Sequence, residues 1–300
     1  MIMPTETSTE HRAVVTVIRA EQTLEGGGFP VRRPFPTRRL RELDPFLLLD
    51  EMGPVEWGPG EALGAPDHPH RGFETVTYLL AGKMRHRDSQ GHVGLLGPGD
   101  VQWMTAGAGV VHSELPEPAF KQTGGMMHGV QLWVNLPARD KMMEPRYQDI
   151  PAAQIPEAAS DDGLVRVRVI AGEALGCAAV IDTRIPIQYL HYTLQPGGSI
   201  EQTVPVAHNA MVYVLSGLVQ LGTAGTPVRS GELAHLGAGE VLRIGAPATA
   251  TVAADLLLLS AAPLHEPVAR HGPFVMNTPA EIEQAIKDYQ AGLMGRIQSE

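Results

Sequence analysis

"VTYLLAG", Val76–Gly82, returns as "MVYVLSG", Met211–Gly217. Each copy is a β-branched and aromatic run closed by glycine, which reads as a strand entering a turn. Further on, "LGPGD", Leu96–Asp100, is echoed by "LGAGE", Leu236–Glu240. Each half therefore predicts a strand, a glycine turn and a second strand entered through a Gly-acid corner, and a repeat of that size marks a duplicated unit. Short apolar runs punctuated by 33 Gly and 25 Pro fill most of the 300 residues, among them "AVVTVIRA", "VRVRVIAG" and "DLLLLSAAP". That density predicts an all-β chain of two tandem jelly-roll barrels.

One helix is expected, at the end, in "NTPAEIEQAIKDYQAGLMGRI", Asn277–Ile297. Thr278 suits the N-cap, Pro279 the first helical position, and Glu281 completes a capping box. Ile282, Ala285, Ile286, Tyr289 and Leu293 form an apolar stripe for docking on a barrel. Residues 137–163, rich in proline and charge, read as the break between domains. The expected organisation is an N-terminal barrel over 1–140, a linker over 141–160, and a C-terminal barrel with the helix over 161–300.

A hydrophobic content of 43% with 19% charged residues fits a globular, soluble chain. The net charge of −10, with no basic run beyond "RRPFPTRRLR" at Arg32–Arg41, disfavours direct nucleic-acid binding. Cys177 is the one cysteine, so no internal disulfide forms. The opening "MIMPTETSTEHR" lacks the apolar core of a signal peptide, and no run is long enough to cross a bilayer. Together these imply a cytoplasmic protein without a membrane partner.

Chemistry concentrates in "DHPHRGFE", Asp67–Glu74. On a strand, His68 and His70 project to one face, which suits a metal ion but also describes two partly exposed strand histidines. In "TAGAGVVHSE", Thr105–Glu114, His112 and Glu114 repeat that spacing. Aligning Gly82 with Gly217 sets Thr203 and Pro205 opposite the first pair, and Asn209 opposite Glu74. Aligning Asp100 with Glu240 sets Val252 and Ala254 opposite the second pair. Both ligand-like pairs are thus confined to the first half, where four donors suit one metal.

"LRELDPFLLLDEM", "DHPHRGFETVTYLLAG", "GLLGPGDVQWMTAGAGVVHSE" and "GPFVMNT" with its helix resemble the pirin family of the cupin superfamily. The resemblance is strong over 31–147, weaker through the second barrel, and returns at 263–295. It implies two tandem cupin barrels and a metal, usually iron, held by His68, His70, His112 and Glu114. Unlike most cupins, the chain has Gln102 and Trp103 where a later ligand histidine is expected, so Glu74 is surplus as a ligand. Glu74 is then expected beside the ligands, accepting a hydrogen bond from a ligand imidazole or from Arg71.

The mixed nitrogen and oxygen set suits Fe(II), Mn, Co or Ni, and suits Zn less well at an open catalytic site. Some pirins oxidise the flavonol quercetin, so the resemblance implies a quercetin 2,3-dioxygenase-like oxidoreductase acting on a small aromatic substrate with O2. Glu114 is the expected base, either while bound to metal or after swinging off it. The alternative is a non-enzymatic, redox-responsive regulator that binds metal and acts through a protein partner, as the animal protein is described. His86, His92 and His128 are lone histidines that could line the mouth of the first barrel, and the methionines read as gap-fillers.

Overall fold

The computed structural model describes residues 10–298. Residues 1–9, most of the stretch read as lacking a signal peptide, lie outside the described residues. No helix among those described is long and apolar enough to cross a membrane.

The chain forms two compact units of the same architecture, each a seven-stranded antiparallel sheet with a four-stranded one. In the first unit the larger sheet runs Arg146–Ile150, Val101–Thr105, Phe73–Ala81, Gly125–Asn135, Phe46–Trp57, Phe29–Phe35, Glu21–Glu25. Its smaller sheet runs Ala65–His70, Val110–Pro116, Met84–Asp88, Val93–Leu96. The second unit repeats both orders strand for strand, beginning Val14–Arg19, Glu232–Leu236, Asn209–Ser216 in the larger sheet and Ser199–Thr203, Val241–Gly245 in the smaller. This is the duplicated jelly roll expected from the repeat.

Burial follows pattern. In Val165–Ala171 ("VRVRVIA") Val165, Val167 and Val169 enter the core of the second unit while Arg166 stays exposed, the period-2 alternation of a strand with one wet face. Phe73–Ala81 is buried along most of its length, being paired on both edges by Val101–Thr105 and Gly125–Asn135.

The domain limits differ from those expected. Residues 10–19 belong to the second unit, because Val14–Arg19 pairs with Glu232–Leu236. In the first unit the equivalent edge is held by Arg146–Ile150, paired with Val101–Thr105, so part of the expected 141–160 linker is a strand of that barrel's sheet. Residues 180–185 and 264–298, the helix included, belong to the first unit. Edge-strand pairing is non-local, so local periodicity cannot assign an edge strand to a barrel.

The second internal alignment also shifts. Asp100 ends the turn before Val101–Thr105, whereas Glu240 precedes Val241–Gly245, one strand later in the equivalent order. The counterpart of the His112 strand is therefore Val241–Gly245, whose Leu242 and Ile244 are buried, with Leu242 registered against buried Gln202. The second barrel still offers no imidazole there.

The helix spans Pro279–Gln290 with the expected capping box, Thr278 accepting from the Glu281 amide and Glu281 reaching back. Its buried stripe is narrower than expected: Ile282 and Ala285 pack with Val111, Phe274, Met276 and Met294, while Tyr289 and Leu293 are exposed. Thr278→Ala should lower unfolding stability by about 1 kcal/mol, with Thr278→Ser recovering most of it. Denaturant titration of the two variants checks this.

Candidate metal centre

Ala65–His70 and Val110–Pro116 are neighbours in the smaller sheet of the first unit, with His112 directly opposite His68. The two expected pairs thereby meet on one face. His112 Nε2 lies 2.9 Å from His68 Nε2, which lies 3.1 Å from His70 Nε2. The potential donor atoms of all three rings fall within 4.8 Å of one another. Nitrogens about 2.1 Å from a common centre and at right angles would sit roughly 3.0 Å apart, so the spacing fits a first-row metal.

Tautomers support the same conclusion. His68 Nδ1 lies 2.7 Å from the Pro66 carbonyl and His70 Nδ1 faces the Pro273 carbonyl at 3.4 Å. A carbonyl only accepts, so both Nδ1 atoms carry the proton and both Nε2 atoms present lone pairs to each other. Facing lone pairs at that distance repel unless a cation lies between them. The backbone carbonyls thus fix ring orientation and ligand basicity.

Burial lowers the pKa of His70 and His112 well below the ordinary imidazole value, and neighbouring imidazoles lower it further. These rings are therefore neutral at pH 7, the form that binds metal. The unfolded chain takes up the two protons near pH 6.5, the folded chain only at much lower pH. The metal-free fold is accordingly at full stability above about pH 7 and should weaken as pH falls below 6.5, by up to roughly 1.4 kcal/mol per pH unit for each ring. Denaturant midpoints of the metal-free protein between pH 7.5 and 5 test this; a flat profile would contradict it. The same depression weakens proton competition, so metal release should need more acid than free histidine's pKa suggests.

Glu114 is brought to the same cavity but not into the imidazole cluster. A register shift between His112 and Glu114 sets Glu114 opposite Ala65. Its carboxylate accepts from Thr77 Oγ1 and from Gln131 Nε2, both at 2.8 Å. Gln131 is itself oriented by Trp133, whose Nε1 donates to Gln131 Oε1 at 3.2 Å.

Glu74 and Arg71 have partners other than those expected. Glu74 is buried and accepts from Thr105 Oγ1 at 2.6 Å, across the pairing of their strands. Burial pushes its carboxyl up to about 7 against that hydrogen bond. Arg71 donates to the Ala108 carbonyl and to Asp288 in the C-terminal helix. Beside it, Gly72 has φ +87°, and a Cβ there would lie 2.0 Å from the Val275 carbonyl oxygen. Buried Lys141 Nζ joins the carbonyls of Gly72 and Val275 to Asn135. These contacts hold the segment carrying Pro273 against His70.

His86 is the residue that sequence reasoning underrated. It is buried, stands opposite Glu114 in strand register, and its ring packs 4.9 Å from that of His112. His86 and Asp88 share the i, i+2 spacing, the one local signal that could have marked it. His92 bonds Asp149 and His128 bonds Glu51.

His68, His70 and Glu114 line a cavity of about 470 Å³ together with Gln131, Trp133 and Arg270. The Trp133 ring packs on Phe73 at 4.5 Å and on His70 at 5.1 Å, and the Arg270 guanidinium lies 5.0 Å from its centroid.

Two tandem jelly rolls, one of them carrying a three-imidazole centre at the mouth of a cavity, define a two-barrel cupin. Family models described as "Pirin" and "Pirin C-terminal cupin domain" match residues 28–134 and 189–295. The chain belongs to the pirin family. It is 43% identical to a pirin-like protein of Solanum lycopersicum, covering 95% of this chain and 93% of the relative. It is likewise 43% identical to the pirin of Homo sapiens, covering 93% and 92%. Among solved structures it resembles a quercetin 2,3-dioxygenase from Acinetobacter baumannii with a TM-score of 0.89 and 39% identity, covering 96% of this chain and all of that one.

Proposed function

We propose that this chain is a metal-dependent dioxygenase oxidising a flavonol such as quercetin, or a related aromatic enol, with O2. The observation that carries the reading is the convergence of three imidazole Nε2 atoms beside a cavity of about 470 Å³, a size that accommodates a fused-ring substrate. Likeness to a quercetin 2,3-dioxygenase across nearly the whole chain supports it. His68, His70 and His112 would hold one divalent metal, Fe(II) in this reading, with Glu114 as a fourth donor. When bound, that metal supplies Lewis acidity toward an enol oxygen and redox capacity toward O2.

The protein's own groups do the rest. The carbonyls of Pro66 and Pro273 keep the two Nδ1 protons in place, so the Nε2 lone pairs stay aimed at one point. Trp133 offers an apolar edge for an aromatic ring. Glu114 accepts the enol proton on a carboxylate oxygen, while Thr77 and Gln131 hold the carboxylate in line. Anaerobic reconstitution with Fe(II), followed by O2 uptake against a panel of flavonols, tests the reading. A fully iron-loaded chain that consumes no O2 with any of them would refute it.

A further inference from the structure

The larger sheet of the first unit lays a polar row across the floor of the cavity. Gln131 stands opposite Thr77 on one neighbouring strand and opposite Asp50 on the other, and residues in register share a face. Asp50 in turn holds Arg33 of the next strand, whose Nε and Nη2 reach its Oδ1 at 2.8 Å and its Oδ2 at 2.6 Å. Thr77 and Gln131 are the partners of Glu114, so the row begins at the metal side and runs outward. Strands lie about 4.8 Å apart, which sets Asp50 roughly 10 Å from Thr77. Two residues along each strand, Met52 and Val31 flank the row on one side, and Trp133 and Leu48 on the other. Asp50, Arg33 and these four apolar side chains all line the cavity of His68 and His70.

The outer end of the row carries balanced charge. Arg33 also bonds Glu25, and Arg270 lies over Trp133 with a bond to the Leu47 carbonyl. Partial burial lowers the pKa of Arg270, Arg33 lowers it further, and Asp50 and Glu25 raise it, so the four charges form one group. We infer that this group is the subsite for a hydroxyl-bearing ring of the substrate, with Asp50 as the acceptor that selects it. A carboxylate offers about four lone-pair sites and Arg33 takes one on each Asp50 oxygen, so both oxygens can still accept. Phenolic hydroxyls suit the mixture, because they donate to Asp50 or Glu25 and accept from Arg270. A substrate carboxylate only accepts, and it would meet two acids. A bare ring would displace water from the charges and replace none of its hydrogen bonds. The apolar flanks leave a slot for flat faces, so one molecule spans the floor, its enol oxygen at the imidazoles and its far hydroxyls at Asp50. The assignment rests on the dioxygenase reading for the enol at the metal, but its test needs no turnover.

The full chain loaded with zinc(II) is titrated by calorimetry with quercetin and with its analogue lacking both hydroxyls on the pendant ring. Quercetin should bind about tenfold to a hundredfold tighter, the range for hydrogen bonds to a charged acceptor. A third ligand, with a carboxylate in place of those hydroxyls, should bind no better than the bare analogue. Equal affinities for all three would overturn the subsite, and so would tightest binding of the carboxylate. Asp50→Asn should bring quercetin to within about threefold of the bare analogue and leave the analogue's own affinity within about threefold of wild type. Equal weakening of both ligands would make Asp50 a support for Arg33 alone and overturn its selecting role. The wild-type ligand series decides the matter even where Asp50→Asn fails to fold. Discrimination by a chain that, loaded with iron, oxidises no flavonol would refute the dioxygenase reading alone; turnover of both flavonols by a chain that binds them equally would refute this subsite alone.

Discussion

Combining His68→Ala with His70→Ala should take the metal content from near one equivalent per chain to near zero. Two of the three converging Nε2 atoms vanish, and His112 with Glu114 cannot replace them: Glu114 is held by Thr77 and Gln131 on the other side of a register shift. Loss of an outer hydrogen-bond partner alone typically costs ten- to a hundredfold in affinity, so loss of two ligands at once should cost at least the square of that. The second barrel offers no refuge. Its strand equivalent to the His112 strand presents buried Leu242 and Ile244, and the paired inward position is Gln202. Elemental analysis of the dialysed protein decides the matter. One equivalent surviving in the double variant would mean that the centre lies elsewhere. The metal-free double variant should also lose part of its acid sensitivity, because His70 no longer contributes and only His112 remains of the two strongly depressed rings.

What the sequence disclosed and what it hid follow from the range of each interaction. His68 and His70 were legible because a strand's period of two is local, and so was the pair His112 and Glu114. The capping box at Thr278 and Glu281 spans three residues and was equally plain. Glu74, by contrast, finds Thr105 through strand pairing, and Arg71 finds Asp288 more than two hundred residues away. His86 looked like a lone histidine until strand register set it opposite Glu114. The chain's glycine corners misled for a related reason. Leu96–Asp100 and Leu236–Glu240 have nearly the same composition, yet they are successive sheet-to-sheet turns of the same plan, since any tight turn with positive φ selects glycine. The placement of Val14–Arg19 in the second barrel and of the terminal helix in the first had no local signature at all.

Glu114→Gln should keep most of the metal and lose roughly two to four orders of magnitude in turnover, the size of a general-base contribution. The surroundings make this substitution unusually clean. An amide replaces one acceptor oxygen by an NH2 donor, so one neighbour must become an acceptor. Gln131 cannot, because its Oε1 already receives Trp133 Nε1 and its Nε2 is thereby turned toward Glu114. The Thr77 hydroxyl can, by rotating about its C–O bond to accept instead of donate. The new amide should therefore hold the position of the carboxylate, its oxygen toward Gln131, while lacking the basicity to take an enol proton. His68, His70 and His112 are untouched, and the amide oxygen remains a weak donor, so equal metal occupancy is attainable in both proteins. Loss of the flavonol absorption band with matching O2 consumption is then compared at that equal occupancy. Turnover unchanged in the variant would remove Glu114 as base and leave the dioxygenase reading intact. Metal lost from the variant in proportion to activity would instead make donation to the metal, and not proton transfer, the indispensable role of Glu114, its carboxylate turning from Thr77 or Gln131 when the centre is filled.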